Sequence, residues 1–294
     1  MSFEALKKRK KSIEDLVNAA RAAQGDKSND NNVWKLERDK NGNGYAVIRF
    51  LPAKNPDDLP WVQYYDHGFK GPTGKWYIEK SRTTIGEDDP VSVYNNKLWN
   101  SGVEADKEQV RKQKRRLHYV SNILVISDSA NPENEGKVFK FVYGRKIFEK
   151  IMEAMSPEFE DETPINVFDF WEGANFKLKV RKVDGWVNYD KSEFEDPSPL
   201  FDGDEAKLKE VYESLHDLNT YIDPNTFKSY EELERKLNDV LGLTPSGNKV
   251  SVTEKDMEAA AESEAVPSVP DDVPFDTDDN MDDTLSYFAE LANS

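Results

Sequence analysis

Cysteine is absent from the 294 residues. That excludes a disulfide framework, a thiolate zinc site and a cysteine nucleophile. Long apolar runs are missing too: none approaches the ~18 residues that a membrane-spanning helix needs. The charged N-terminus is followed by no apolar stretch, so the pattern of a secretory signal is lacking. Hydrophobic residues are sparse at 37 %, below the ~45–50 % of an average globular chain, a figure that includes Gly. Aromatics, at 11 %, are nevertheless too many for a chain disordered throughout. A folded core diluted by solvated ends reconciles these figures, and the expectation is a soluble intracellular protein.

Charge is plentiful but unevenly placed. The formal net charge is −17, of which residues 250–294 carry −12, with 13 acids against the single base Lys255. Residues 1–24 carry +3, with five consecutive cations at Lys7–Lys11. A basic head, a near-balanced body and an acidic tail suggest a polyanion binder with an interaction tail. Ends that merely solubilise the chain are the competing reading, and charge alone does not separate the two.

Periodicity organises the rest. Residues 4–23 read as a helix with Leu6, Ile13, Leu16, Val17 and Ala20 near one face. QGDKSNDNN at 24–32 reads as a linker. VWKLERD and YAVIRFLP flank Asn41-Gly42-Asn43-Gly44, which predicts a hairpin because these residues accept positive φ cheaply. YVSNILVI (119–126) and GKVFKFVY (136–143) predict a second strand pair. Arg145–Met155 reads as one helix stopped by Ser156-Pro157. INVFDFWEGANFKLKVRKV supplies one or two further strands, and two helices are expected near 204–222 and 229–241. After Leu243 apolar periodicity is lost, so 244–294 is expected to be disordered, with Leu285, Tyr287, Phe288 and Leu291 forming one amphipathic turn on a partner. Short strands around one helix point to an α+β chain whose core is a partly open OB-type β-barrel with added helices. The intervening segment 54–117 reads as a long irregular insertion, and such segments are usually functional.

Three stretches interleave cations with aromatics. In the first, Lys177, Lys179 and Arg181 alternate with Phe176, Leu178 and Val180, so strand geometry puts the cations on one face and the apolar side chains on the other. Trp186 and Tyr189 follow within eight residues, in a polar context that suggests exposed rings. In the second, Arg111, Lys112, Lys114, Arg115 and Arg116 precede Tyr119; in the third, Lys137, Lys140, Arg145 and Lys146 surround Phe141 and Tyr143. Single-stranded nucleic acid calls for this combination: cations follow phosphates, and rings stack on unpaired bases for roughly 1–3 kcal/mol each. Phe141, Phe148 and Phe176 fit a core as well as a stacking surface. Enzyme signals are weak. GPTGKW (71–76) has Phe69 and Trp76 where a phosphate-binding loop needs Gly and Ser/Thr, so it reads as a hairpin turn. His67, His118 and His216 have no metal spacing. No catalytic centre is expected.

GNGYAVIRFLP (42–52), HGFKGPTGKWYIE (67–79), SNILVI (121–126), NPENEGKVFKFVYGRKIFEKI (131–151), WEGANFKLKV (171–180) and VNYD (187–190) occur in an order that resembles the single-stranded DNA-binding, helix-destabilising proteins of T4-type phages. The resemblance covers about 30–240. It implies a basic module (1–24) for cooperative self-association, a DNA-binding core with an OB fold (30–243), and an acidic tail (244–294) that recruits phage replication and recombination proteins. The setting it implies is the cytoplasm of an infected bacterium, where the protein would coat single-stranded DNA. Its cooperativity motif resembles Lys8, Arg9, Lys10, Lys11 and Ser12, and its DNA cleft maps onto Arg49, Trp99, Lys114, Arg115, Tyr119, Tyr143, Trp186 and Tyr189. Trp99 and Trp186 stand where the T4-type pattern has Tyr and Phe, while Val120 stands in place of a Trp. The resemblance also implies a structural zinc held by one His and three Cys. Here His67 remains, Ser81 and Ser92 occupy two Cys positions, and the third falls near Asp89 or in a gap. No metal or other cofactor is therefore expected, and packing of Trp61, Tyr64, Tyr65, Phe69, Trp76 and Tyr77 is expected to hold this region instead. An RNA-binding regulator and an acidic DNA mimic remain as rivals.

Overall fold

A computed structural model describes residues 32–159, 161–183 and 185–243. The predicted N-terminal helix, the motif at Lys8–Ser12 and the tail from 244 lie outside the described residues. The described residues form a mixed α+β structure: a nine-stranded sheet with five α-helices.

The strands are β1 (Val33–Trp34), β2 (Gly44–Phe50), β3 (Trp61–Lys70), β4 (Trp76–Lys80), β5 (Arg116–Ser127), β6 (Val138–Tyr143), β7 (Asn175–Val183), β8 (Trp186–Asn188) and β9 (Glu193–Phe194). Their path is β1-β6-β5-β2-β7-β8, with β3 and β4 branching from β5 and β9 lying on β7. β5 organises this arrangement. It pairs antiparallel with β3 (Trp61↔Ser121 to Asp66↔Arg116), with β6 (Tyr119↔Tyr143 to Leu124↔Val138) and with β2 (Val47↔Ser127 to Phe50↔Ile123). Among the described residues no pairing joins β1 to β8.

The β5–β6 pair forms as the sequence predicts. The first hairpin does not. Asp39 accepts hydrogen bonds from the backbone N–H groups of Asn41 and Asn43, so the Asn/Gly run does turn. β1, however, lies parallel to β6 (Val33↔Lys140), while β2 pairs with β5 and β7. The 54–117 segment is also more regular than expected, containing β3, β4 and helices α1 (Pro90–Trp99) and α2 (Glu104–Gln113). GPTGKW forms the β3–β4 turn, where Gly71 N–H donates to Lys75 O.

Helix α3 occupies Arg145–Met155, as its periodicity predicts. Ile147 and Ile151, one turn apart, are buried against the main core of Ala46, Ile48, Phe50, Ile123 and Phe176. Each contributes roughly 1.5–3 kcal/mol by burial. Helix α4 (Glu205–Glu213) is shorter than the expected 204–222 and gives way to a 3-10 turn at Leu218–Tyr221. Between them Asn122 of β5 donates to His216 O at 2.9 Å and accepts from His216 N–H at 3.0 Å, claiming backbone groups that a continuing helix would use. Leu208, Val211 and Leu215 build a second core with Leu51, Leu124 and Phe170. Helix α5 (Tyr230–Leu241) starts with a Ser229/Glu232 capping box and stops at Gly242, whose φ of 68° lies in the left-handed region that favours glycine. Its Leu233, Leu237, Val240 and Leu241 complete a third core with Phe69, Tyr77 and Val91. The aromatic set expected to hold this region is thus split. Phe69 and Tyr77 pack against α5, Trp61 joins the main core, and Tyr64 stacks on His118.

Candidate nucleic-acid interface

Along β5 the alternation of strand side chains decides which cations face outward. Arg116 lies opposite Asp66 in the β3–β5 ladder and is only 3 % exposed. Its Nε and Nη2 donate to the two carboxylate oxygens of Asp66 at 2.8 and 2.9 Å, and His118 Nε2 lies 3.0 Å from Asp66 Oδ1. Burial pushes the Asp66 carboxyl up, yet the His118 and Arg116 charges and hydrogen bonds outweigh it and hold the group well below the usual carboxylate range. Gly68 makes room for this arrangement, since a Cβ there would sit 2.2 Å from Arg116 Nη2. Arg116 is therefore an interior ion-pair residue, which corrects its assignment to the DNA surface.

Arg115, one residue earlier, points the other way and is exposed. Its guanidinium lies 4.0 Å from the ring centroid of Tyr65, and its Nη1 donates to Thr83 Oγ1 at 2.7 Å. The planar cation is held over an aromatic face with donors remaining for an anion. Lys114 is exposed beside it at the end of α2. Arg145 and Lys146 are exposed on the first turn of α3, where no side chain caps the helix; Arg145 also pairs with Glu149 at 2.8 Å. Tyr65 and Arg145 both act on the Tyr119 phenol, which burial first and Tyr65 second push above its usual range while Arg145 opposes them. Phe148 of α3 stacks on Tyr119, which lies opposite Tyr143 in the β5–β6 ladder. Tyr65 lies opposite Leu117, two residues along β5, so the α3 start and the Arg115 corner border one neighbourhood. Tyr65 and Thr83 were not anticipated as site residues. Only the β3–β5 register brings them to Arg115.

Several expected contacts are interior. Tyr119 stacks on Phe148 with centroids 3.9 Å apart; Tyr143 donates to or accepts from Ser121 Oγ at 2.9 Å; Phe141 packs edge-on against Trp34. All three rings belong to the main core, so none offers a free face to a base. Arg49 is completely buried on β2, where Nη2 donates to the carbonyls of Asp169 and Ser198 at 3.0 and 2.9 Å. Burial lowers its pKa to about 10, with Asp169 opposing, so it stays charged at neutral pH. These burials correct the assignment of Arg49, Tyr119, Phe141 and Tyr143 to a binding surface.

The second surface lies on β7. Phe176, Leu178 and Val180 are buried and Lys177, Lys179 and Arg181 face outward, as alternation predicts. The face is not uniformly basic, however. β9 brings Glu195 to Lys177 at 3.0 Å and Glu193 to Lys179 at 2.7 Å. Arg181 is exposed opposite Asn188 of β8. Tyr45, directly across from Lys179, and Trp186, directly across from Val183, share the cationic face and are 47 % and 52 % exposed. Trp186 is thus the exposed ring the sequence predicts. Tyr189 is half-buried against the main core, and Tyr45 is the ring the sequence reading missed. Trp99, half-buried at the end of α1, lies under Lys107 Nζ at 5.6 Å. The donor sets suit a polyanion with unpaired bases. Among the described residues no three His, Cys, Asp or Glu side chains are grouped to hold a metal, and no helix is long and apolar enough to cross a membrane.

Residues 42–241 match the family model described as gp32 DNA binding protein like. The single-stranded DNA-binding protein of Enterobacteria phage T2 is 42 % identical over 265 residues, covering 87 % of this chain and 86 % of that protein. The single-stranded DNA-binding protein of Enterobacteria phage T4 is 43 % identical over 246 residues, covering 81 % and 80 % respectively. With the family match and both relatives spanning most of its length, this chain belongs to the gp32-like family of phage DNA-binding proteins.

Proposed function

We propose that this chain is a non-enzymatic, cooperative and largely sequence-independent single-stranded DNA-binding protein that coats DNA during phage replication, recombination and repair. One observation carries the core of this reading: Arg115, exposed and stacked on Tyr65, stands in the same neighbourhood as the α3 cations Arg145 and Lys146. Phosphate contacts and stacking do not read base edges, so little sequence preference follows. Lys114, Arg115, Arg145 and Lys146 form one part of the interface, with Trp99 beyond them; Arg181, Trp186 and Tyr45 form another, with Tyr189, Lys177 and Lys179 at its margin.

In this reading the core spans 30–243, and its sheet, in which β5 is shared by β2, β3 and β6, is a partly open OB-type barrel. Residues 1–24, with Lys8, Arg9, Lys10, Lys11 and Ser12, contact the neighbouring protein along DNA, and the acidic 244–294 segment recruits replication and recombination proteins in the infected cell. Titration with dT and rU oligomers at two salt concentrations tests the core reading. It expects tight, salt-dependent dT binding with a slope of about −0.7 per phosphate engaged. Stronger rU binding would favour an RNA regulator, and no binding to either would leave an acidic mimic.

A further inference from the structure

The family's zinc ligands are mostly missing here, yet the region they would organise is ordered around one buried side-chain pair. His67 is 1 % exposed and lies between two acceptors. Its Nδ1 is 2.9 Å from Gln113 O, and because a carbonyl only accepts, that nitrogen carries the hydrogen. Its Nε2 is 3.2 Å from Asp89 Oδ1, an ion-pair distance whose angle falls short of a hydrogen bond. Asp89 is equally buried and gathers three backbone donors: Val91 and Ser92 N–H at 3.0 and 3.2 Å on Oδ1, and Arg82 N–H at 3.2 Å on Oδ2. Ser81 is fully buried, with its Oγ 3.0 Å from Thr83 Oγ1.

This set does not fit zinc. A closed zinc site needs four ligands such as thiolates and imidazole lone pairs. With Nδ1–H on Gln113 O, only His67 Nε2 is left as a ligand: no thiolate joins it, both Asp89 oxygens take amide hydrogens, and the Ser81 hydroxyl is engaged with Thr83.

We infer that the His67–Asp89 pair is a metal-free staple that takes over the structural task of the family's zinc and positions the Lys114–Arg115 cations. The geometry gives it that reach. Asp89 fixes the start of α1 and the 3-10 turn at Arg82–Ile85, and the same turn supplies Thr83 to Arg115. His67 fixes Gln113 at the end of α2, one residue before Lys114. One pair therefore ties β3, the Thr83 turn and both helices to the corner that presents Arg115. The DNA-binding half of this inference rests on the proposed function; the metal-free half does not.

The test uses the full chain produced in zinc-supplemented medium. Metal analysis should find no stoichiometric zinc, and a chelator should change neither the melting temperature nor dT-oligomer affinity. Zinc whose removal lowers stability would overturn the inference. Asp89→Asn should lower the melting temperature by roughly 5–15 °C, weaken dT binding about tenfold and flatten the salt slope by about 0.7 for one lost phosphate contact. An unchanged melting temperature would overturn the staple. Destabilisation with an unchanged salt slope would overturn its positioning role. If the variant does not fold, amide exchange in the unaltered protein decides: the Arg82, Val91 and Ser92 amides should be protected equally with and without chelator, and rapid exchange at all three would overturn the staple. Failure of the unaltered protein to bind dT would remove the functional reading while leaving the zinc and melting results to stand or fall separately.

Discussion

The two basic surfaces differ in what surrounds their cations. On β7, Lys177 and Lys179 line a strand face as regularly as a sequence can specify, yet β9 lays Glu195 and Glu193 against them. At the β3–β5 corner, Arg115 and Arg116 are adjacent in sequence, and one is buried against Asp66 while the other is exposed on Tyr65. A row of like charges is thus neutralised by a neighbouring strand, while a single cation is held exposed by an aromatic ring and a hydroxyl. The net charge of a face belongs to the sheet, not to one strand.

The largest expected effect breaks the corner itself. Asp66→Ala strands Arg116 and His118 in the interior and should cost about 3–5 kcal/mol of stability in denaturant unfolding. The pH dependence has a definite sign. Because the folded Asp66 carboxyl lies below its unfolded value of roughly 3.9, its contribution is full above that value and disappears as pH falls further, through the folded pKa. The stability gap between the natural protein and Asp66→Asn should therefore narrow as pH falls below about 4; a gap that stays unchanged down to about pH 2 would show that the Asp66 charge does not stabilise the fold.

Arg115→Ala should lose roughly 1–3 kcal/mol of dT affinity and about 0.7 of salt slope, with under ~1 kcal/mol lost in folding. Trp186→Ala should show a similar split, roughly 1–3 kcal/mol per stacked base in binding and little in stability, because half of the ring is already in water. A large stability loss with normal binding would make Trp186 a packing residue. A smaller effect sharpens the contrast. Changing Glu193 and Glu195 together to Gln unmasks Lys177 and Lys179, so dT binding should tighten and its salt dependence steepen in parallel titrations. The smallest effect is expected for Lys177→Ala, since an exposed pair is worth only about 0–1 kcal/mol. A marked loss of DNA affinity in that variant would show that DNA displaces Glu195.

Features encoded within a few neighbouring residues were legible in the sequence. The α3 limits follow from its period and the Ser156-Pro157 stop, and β5 and β6 from two apolar runs around a turn. β1 was not legible. Its partner Lys140 lies more than a hundred residues away, and the Asn/Gly turn that follows it looks like a hairpin whichever strand β1 joins. The early end of α4 was hidden for the same reason, because the Asn122 side chain that takes the His216 backbone comes from β5. At the interface, alternation correctly predicted the outward face of β7, and polar context the exposed Trp186. It could not tell Arg115 from Arg116, because that distinction requires knowing that Asp66 stands across the ladder. The interleaving of cations and rings, with the family resemblance, also overvalued Tyr119, Phe141 and Tyr143, rings that serve a core or a stacking surface equally well until packing decides.

The seating of α5 has a consequence for where this chain can be cut. Gly71 approaches Val240 so closely that a Cβ would lie 2.2 Å from its carbonyl oxygen; Thr73 Oγ1 donates to the same oxygen at 2.6 Å, and Lys75 reaches Asp239. With four α5 side chains inside the third core, the helix is a wall of the β3–β4 arm rather than an appendage. A protease nick at 222–229 should therefore leave two fragments that co-elute, whereas trimming the chain back beyond Tyr230 would expose Phe69, Tyr77 and Val91 to water. The shortest stable fragment should retain all of α5, its final turn at Gly242 included.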